Sequence, residues 1–372
     1  MNPLIFVAGN ATGKVSWNVT TLAQRAMEAI NVNPLMAMLY MVIALGAVSA
    51  LVALSGMVLI YVERKIAGHF QCRLGPMRVG PHGVFQTVAD TLKLLLKEDI
   101  APRDADQLLH IVGPFLAIMA TIMVMMLLPF APNMQAVDLN IGVLFLSAVT
   151  GFGVLGILIG GWASNNKWSM IGAMRAGAQM LSYELTIALA LLVIVLFSGS
   201  LSLADIVKSQ SKGWWIWRAH FVGFLTFLLF IIASVAELNR TPFDIPEGES
   251  ELTGGFSTEF SGLRFAFYFL AEFVNMFTAS AIAATLFLGG WMPFHIGNFA
   301  GFNAIMDLIP PVIWFMGKTM AVMFIVMWFR WSFPRLRIDQ LMKLEWKIML
   351  PISFANLFVA SLLILLGFYI FP

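Results

Sequence analysis

MIGAMRAGAQMLSYELTIALALLVIVLF, running from Met170 to Phe197, decides what kind of molecule this is. Its 28 residues carry only two charges, Arg175 and Glu184. About 20 predominantly apolar residues suffice to cross a hydrocarbon core. Inside lipid every backbone polar group needs a partner within its own segment, so such a run must be a helix. Working outward, comparable runs stand at Leu35–Tyr61, Ile111–Phe130, Ile141–Trp162, Phe221–Leu238, Phe265–Gly290, Val312–Phe329 and Ile348–Ile370. Hydrophobic residues make up 60% of the 372 positions and charged residues 11%, against about 25% charged in soluble domains. Such a chain cannot cover a globular surface with polar groups. It reads as all-α: a polytopic transmembrane helix bundle of about eight spans.

Residues 34–372 read as a single membrane domain preceded by an N-terminal extension, 1–33, on the outer side. That extension lacks the order of charged start, apolar stretch and small-residue cleavage site that marks a secretory signal. Lysine and arginine collect in the segments 62–109 and 330–347, with Lys167 between the third and fourth spans and Arg240 and Arg264 in and just after the acidic segment 239–263. The remaining connectors hold only Lys208, Lys212 and Arg218. Positive charge favours the inner side, so those segments are expected inside and both termini outside. Within 62–109, the residues Gly75, Pro76, Gly80, Pro81 and Gly83 break the chain. A helix then follows, with Val84, Val88, Leu92, Leu95 and Leu96 opposite Gln86, Asp90, Lys93 and Lys97. It is too polar to cross and suits the membrane interface. Closely spaced Gly151, Gly153, Gly156 and Gly160 point to tight helix packing in the third span.

One cysteine, Cys72, and five histidines without paired ligand spacing fall short of the roughly four thiolates an iron–sulfur cluster wants. No metal, haem or covalently bound cofactor is expected in this chain, nor a nucleic-acid partner.

Ionisable groups inside spans cost about 2.5–3.5 kcal/mol each on insertion scales and default to functional hypotheses. Glu184 stands foremost, roughly 13 Å along a helix from Arg175 at 1.5 Å per residue, with Tyr183 beside it. Glu237 ends the fifth span, Glu272 lies inside the sixth, and Glu63 closes the first beside Arg64. Lys318, two turns into the seventh, is expected to be the positive partner of a buried carboxylate. Between Glu237 and Glu259 stand six carboxylates, namely Glu237, Asp244, Glu247, Glu249, Glu251 and Glu259, with Arg240 the one cation. Like charges so close couple their titrations. Two readings stay open: a water-accessible cluster that passes protons toward Glu184, or an acidic face that docks a basic partner.

Four blocks of residues bear a resemblance to a known family. The first is Glu63-Arg64-Lys65 with Arg73, Gly75-Pro76, Val79-Gly80-Pro81, Gly83, Gln86, Ala89-Asp90, Lys93 and Lys97-Glu98. The second is Arg175-Ala176 with Ser182-Tyr183-Glu184. The acidic stretch from Ala236 through Gly262 is the third. Arg330, Pro334-Arg335, Arg337 and Asp339-Gln340-Leu341-Met342 form the fourth. From about Pro34 onward the chain resembles the H subunit of bacterial NADH–quinone oxidoreductase, respiratory complex I, also called NADH dehydrogenase subunit 1. The resemblance implies a translocase component without a redox centre of its own, inactive alone, that links a peripheral electron-carrying arm to the membrane arm. It implies quinone as substrate, with Arg64, Arg73, Asp90 and Phe243 lining or shaping the quinone chamber. It further implies a proton path begun by Glu184, Glu237, Glu247, Glu249 and Glu251 and tuned by Arg240 and Tyr183. Flavin and iron–sulfur clusters would belong to partner subunits, which include quinone-site subunits of the peripheral arm and small membrane-arm subunits. A bacterial inner membrane is the implied location. The chain departs from many relatives at Phe256 and Phe260, where tyrosine is common, and at Ser257, often histidine. Rival readings are the equivalent subunit of a membrane-bound hydrogenase or of a complex with another donor, and a stand-alone secondary transporter. Inverted repeats would mark that last rival, and none is evident in the sequence.

Overall fold

The structure is a computed structural model that describes residues 34–132, 134–246, 248, 252–295 and 300–367. Among these residues eight helices are long and apolar enough to cross a membrane. They are α1 (Pro34–Phe70), α3 (Gln107–Leu127), α4 (Gly142–Ala163), α5 (Lys167–Ser198), α8 (His220–Glu237), α9 (Gly262–Phe287), α11 (Pro311–Ser332) and α12 (Ile338–Leu365). Shorter helices connect them: α2 (Gln86–Leu96), α6 (Leu203–Ser209), α7 (Trp215–Arg218) and α10 (Ala300–Asp307). The expected N-terminal extension lies outside the described residues.

Two boundaries differ from the sequence reading. The first span does not stop near Tyr61: α1 continues to Phe70, because Glu63 and Ala67 turn into the bundle and are buried there. The last span starts at Ile338 rather than Ile348. Residues Ile338–Leu344 are already helical and bury Leu341. The basic segment 330–347 is therefore mostly helix, and its irregular part is the short corner after Ser332.

Local chemistry explains the ends. The Asp106 carboxylate caps α3 by accepting from the N–H groups of Leu108 and Leu109 at 3.1 and 3.2 Å, groups otherwise left without partners at a helix start. Gly199 ends α5 in the left-handed conformation (φ 72°), its N–H donating to Val195, a geometry that glycine adopts without a Cβ clash.

Helix α9 is the hub, packing on α1, α2, α3, α8 and α11, with 72% of its apolar window buried. Helices α3 and α4 approach backbone to backbone. A Cβ on Gly156 would stand 2.8 Å from the Gly113 carbonyl oxygen, so the expected packing role holds for that glycine. Gly151 differs, since the nearest group to its missing Cβ is Glu184 Oε1 at 3.8 Å. Outside the hub, α1 and α12 bury only 22% of their windows. The apolar stripe of α2, including Val88, Leu92 and Leu95, is exposed, as is Val84 just before it, as an interfacial helix requires.

Candidate functional site

The C-terminal ends of α1, α4, α8 and α11 and the N-terminal ends of α3, α5, α9 and α12 lie at one end of the bundle, the basic end. There a cavity of about 570 Å³ opens, within the 300–1,000 Å³ range usual for small-molecule sites. Apolar Ile60, Leu74, Pro76, Phe269 and Phe273 share its wall with Glu63, Arg64, Arg73, Arg240 and Arg330. Behind the wall lies a buried ion network. Arg240 lies 3.6 Å from Glu63 and 2.9 Å from Glu272, and its guanidinium covers the Phe273 ring at 4.4 Å. Arg330 also pairs with Glu63. Both Glu63 and Arg240 are under 10% exposed, yet Glu63 Oε2 and Arg240 Nη2 have no hydrogen-bond partner among the described residues. A buried charged group with donor capacity in hand beside a cavity is suited to receive a polar ligand atom or water.

The network exists because a loop is pinned in place. Gln179 on α5 donates one amide nitrogen toward the Ala236 carbonyl (2.7 Å), Asn239 Oδ1 (3.1 Å) and the Phe243 carbonyl (2.8 Å). From the other side Arg335 pairs with Asp244, and the Leu336 N–H donates to the Pro242 carbonyl at 3.0 Å. Arg240 hangs between these clamps.

A second, smaller cavity of about 70 Å³ lies next to the first and shares Phe269 with it. Glu237, Glu272, Asn239, Ser257 and Tyr268 line it. Glu272 therefore touches both the ion network and the small cavity. From Glu237 the next carboxyl is Glu184, within electrostatic reach. Its Oε1 accepts from the Thr150 hydroxyl at 3.4 Å. Glu63, Arg240, Glu272, Glu237 and Glu184 thus form a row from the basic end into the bundle.

Several expected residues sit elsewhere. Asp90 is not on the wall. It binds Arg64 at 2.5 Å and accepts from Gln86 at 3.2 Å, so it acts by holding a wall residue. Burial works against its ionisation, but the Arg64 and Gln86 hydrogen bonds and the charges of Arg64 and Lys93 hold it below the ordinary carboxylate range. Phe243 does not line this cavity either; it is buried against Tyr183, ring centres 5.8 Å apart. Tyr183 is fully buried and donates to the Leu341 carbonyl at 3.1 Å. Glu259 accepts from Asn166 at 2.5 Å. Lys318 has no carboxylate partner among the described residues: at the opposite end of the bundle it donates to the carbonyls of Gly290 (3.0 Å) and Met292 (2.6 Å) and lies 4.7 Å from the Trp214 ring. Carbonyls freed at the end of α9 satisfy it. Glu247, Glu249 and Glu251 lie outside the described residues. Where many relatives are expected to carry tyrosine, Phe256 and Phe260 pack edge-on against Tyr268, and Phe260 stacks on His110 at 4.0 Å.

Sequence reasoning missed Arg330, Gln179 and Glu345 as site residues. Arg330 ends an apolar run and reads as an anchor. Gln179 is uncharged. Glu345, between Lys343 and Lys347, looks like part of a solvated turn. The available signal was its place four residues after Leu341 and four before Met349, all three of which are buried.

The family model for NADH dehydrogenase matches residues 41–361. The chain belongs to the H-subunit family of NADH–quinone oxidoreductases. Curated relatives that carry the name of this H subunit include one from Bacteroides fragilis, 50% identical over 320 residues, covering 86% of this chain and 89% of the relative. One from Bacteroides thetaiotaomicron is 48% identical over 328 residues, 88% of this chain and 92% of its own length. A third, from Bacillus cytotoxicus, is 48% identical over 305 residues, 82% and 88% respectively. Their name denotes one component of an enzyme complex, and with eight apolar helices the chain is a multi-pass membrane protein.

Proposed function

We propose that this chain is the quinone-facing, proton-coupling membrane subunit of a bacterial NADH–quinone oxidoreductase, located in the inner membrane with both termini outside. Residues 34–372 act as one membrane domain, with 1–33 as an outer extension. The observation that carries the reading is the large cavity backed by the buried Glu63–Arg240–Glu272 network. Reduction of a quinone to a quinol takes two electrons and two protons. Flavin and iron–sulfur clusters in partner subunits supply the electrons when bound there. This chain supplies apolar wall for the isoprenoid tail and guanidinium groups that favour charge developing on the ring oxygens. Because Arg240 is shared between Glu63 and Glu272, a change of charge in the cavity redistributes the pairs. Glu272 then meets Glu237 across the small cavity, and Glu237 meets Glu184. The row, joined by Glu247, Glu249 and Glu251, is the start of a proton path, and the basic end docks the peripheral arm.

The test uses the assembled complex. Arg73→Ala is expected to lower NADH–quinone turnover on the order of tenfold, the scale of a lost charge-assisted contact of about 1.5 kcal/mol. Electron transfer from the peripheral arm to a water-soluble artificial acceptor is expected to stay normal. Equal loss of both would mean failed assembly and remove the quinone role. Glu184→Gln is expected to lower the proton-to-electron ratio in complexes of normal subunit content; an unchanged ratio would remove the path.

A further inference from the structure

Helix α5 meets carboxyl groups on two different faces. One face presents Glu184 to Thr150 of α4. Another presents Tyr183 and Thr186, three residues apart and therefore neighbours on one side of the helix, to α12. There the Tyr183 hydroxyl donates to the Leu341 carbonyl, and the Thr186 hydroxyl donates to Glu345 Oε1 at 2.5 Å. Glu345 is 1% exposed, and its second oxygen has no partner among the described residues. The row from the cavity does not use it.

Its position follows from the chain. Pro351 lacks an N–H and crowds the carbonyl four residues before it, so α12 cannot hold its regular ladder there. The helix widens into a π turn over Glu345–Met349, with the Leu350 N–H donating to the Glu345 carbonyl. Such single wide turns recur at functional sites, and this one holds a carboxyl side chain against α5. The titratable group facing Glu345 from α5 is Tyr183. Its own helix carries Asp339, Lys343 and Lys347, all exposed, and none is ion-paired to it among the described residues. Helix α8 meets α12 further along, through Asn356 donating to Thr226 at 2.7 Å. A carboxyl in so dry a contact changes the local charge by one unit when it takes up or releases a proton, and nothing nearby masks the change.

We propose that Glu345 is a further proton-exchanging carboxyl of this protein, a positioning residue whose charge state sets how α12 sits on α5 and thereby where Tyr183 and Glu184 stand. The inference rests on the reading of Glu184 as part of a proton path. Uptake of a proton leaves Glu345 neutral, with Thr186 its one donor. Release leaves a carboxylate that pulls on the Thr186 hydroxyl and repels electron density at Tyr183.

The experiment is infrared difference spectroscopy, NADH-reduced minus oxidised, on the purified complex. The wild type is expected to show a change in a carboxyl C=O stretching band. Glu345→Gln is expected to lack that band and to lower the proton-to-electron ratio severalfold, with normal transfer to an artificial acceptor. Thr186→Val, which removes the donor but keeps the shape, is expected to shift the band. Should Glu345→Gln fail to assemble, Thr186→Val decides: an unshifted band overturns the proposal, as do identical spectra in all three proteins. Glu184→Gln is run in parallel. If it uncouples the complex while the Glu345 spectra are silent, this inference alone falls. If it leaves coupling intact while the Glu345 band persists, the proton-path reading falls, the positioning role falls with it, and the exchanging proton stands.

Discussion

Arg240 and Lys318 are both buried cations in a membrane protein, at opposite ends of the same bundle, and they are held in opposite ways. Arg240 is shared by two carboxylates, Glu63 and Glu272, and Glu63 also pairs with Arg330. Lys318 meets two backbone carbonyls and tryptophan rings. The first arrangement has several charged members that depend on one another, so its distribution of charge can change without any member leaving. The second has one charged member and fixed dipoles around it. A site that must respond to a reaction needs the former; a site that ties a loop to a helix end needs only the latter. Under the proposed function, the first arrangement, at the basic end beside the cavity, is the one suited to respond.

Breaking the first arrangement should have the largest effect. Arg240→Met leaves Glu63 buried and Glu272 half-buried, Glu272 without its cation. Removing one partner of a buried pair costs about 3–5 kcal/mol, so incomplete assembly or a sharply lower thermal midpoint is expected, with quinone turnover lost in whatever assembles. The sharper form is the double variant with Glu272→Gln. If the two residues act together, the second change recovers part of the midpoint that the first removed, because couplings in one network are not additive. Equal midpoints for single and double variants would dissolve the network.

Lys318→Met tests the other side of the comparison. It removes a charge that lipid burial disfavours and leaves two carbonyls with one partner fewer. These effects oppose each other, so the net change is expected to be on the order of 1 kcal/mol. The quinone KM should match the wild type. NADH–quinone turnover should match it too, and a loss as large as that of Arg73→Ala would join the two ends of the molecule and end the distinction.

How much of this the sequence revealed depends on what each residue relies on. The spans were legible because twenty apolar residues in a row leave lipid as the only fitting solvent. Glu63, Glu184, Glu237 and Glu272 were legible because charge inside such runs is rare. Register against other helices was not. Phe243 reads as a chamber wall in sequence and turns out to face Tyr183, since only the clamp by Gln179 decides which way its loop folds. Lys318 was read as one half of an ion pair because sequence shows its charge and not the end of α9 that satisfies it. Glu345 was hidden for a related reason: Lys343 and Lys347 beside it read as a solvated turn, and sequence does not show the Thr186 face of α5 that covers it.

The smallest effect concerns the edge of the cavity, where Asp90 steadies Arg64. Arg64 and Asp90 are 41% and 26% exposed, so solvent and salt screen the pair and it is worth about 0.5–1 kcal/mol at most. The folded protein holds the Asp90 carboxyl below its ordinary range. Its contribution is therefore complete above the unfolded carboxylate value near 4 and fades as pH falls through the lower folded value. Asp90→Asn should lower the thermal midpoint slightly at neutral pH, and the gap from the wild type should close on acidification rather than widen. A gap that held constant down to about pH 3 would mean that Asp90 supports α2 by shape alone. Arg64 would then owe its place on the cavity wall to α1, and the pairing that links the interfacial helix to the chamber would carry no electrostatic share of the fold.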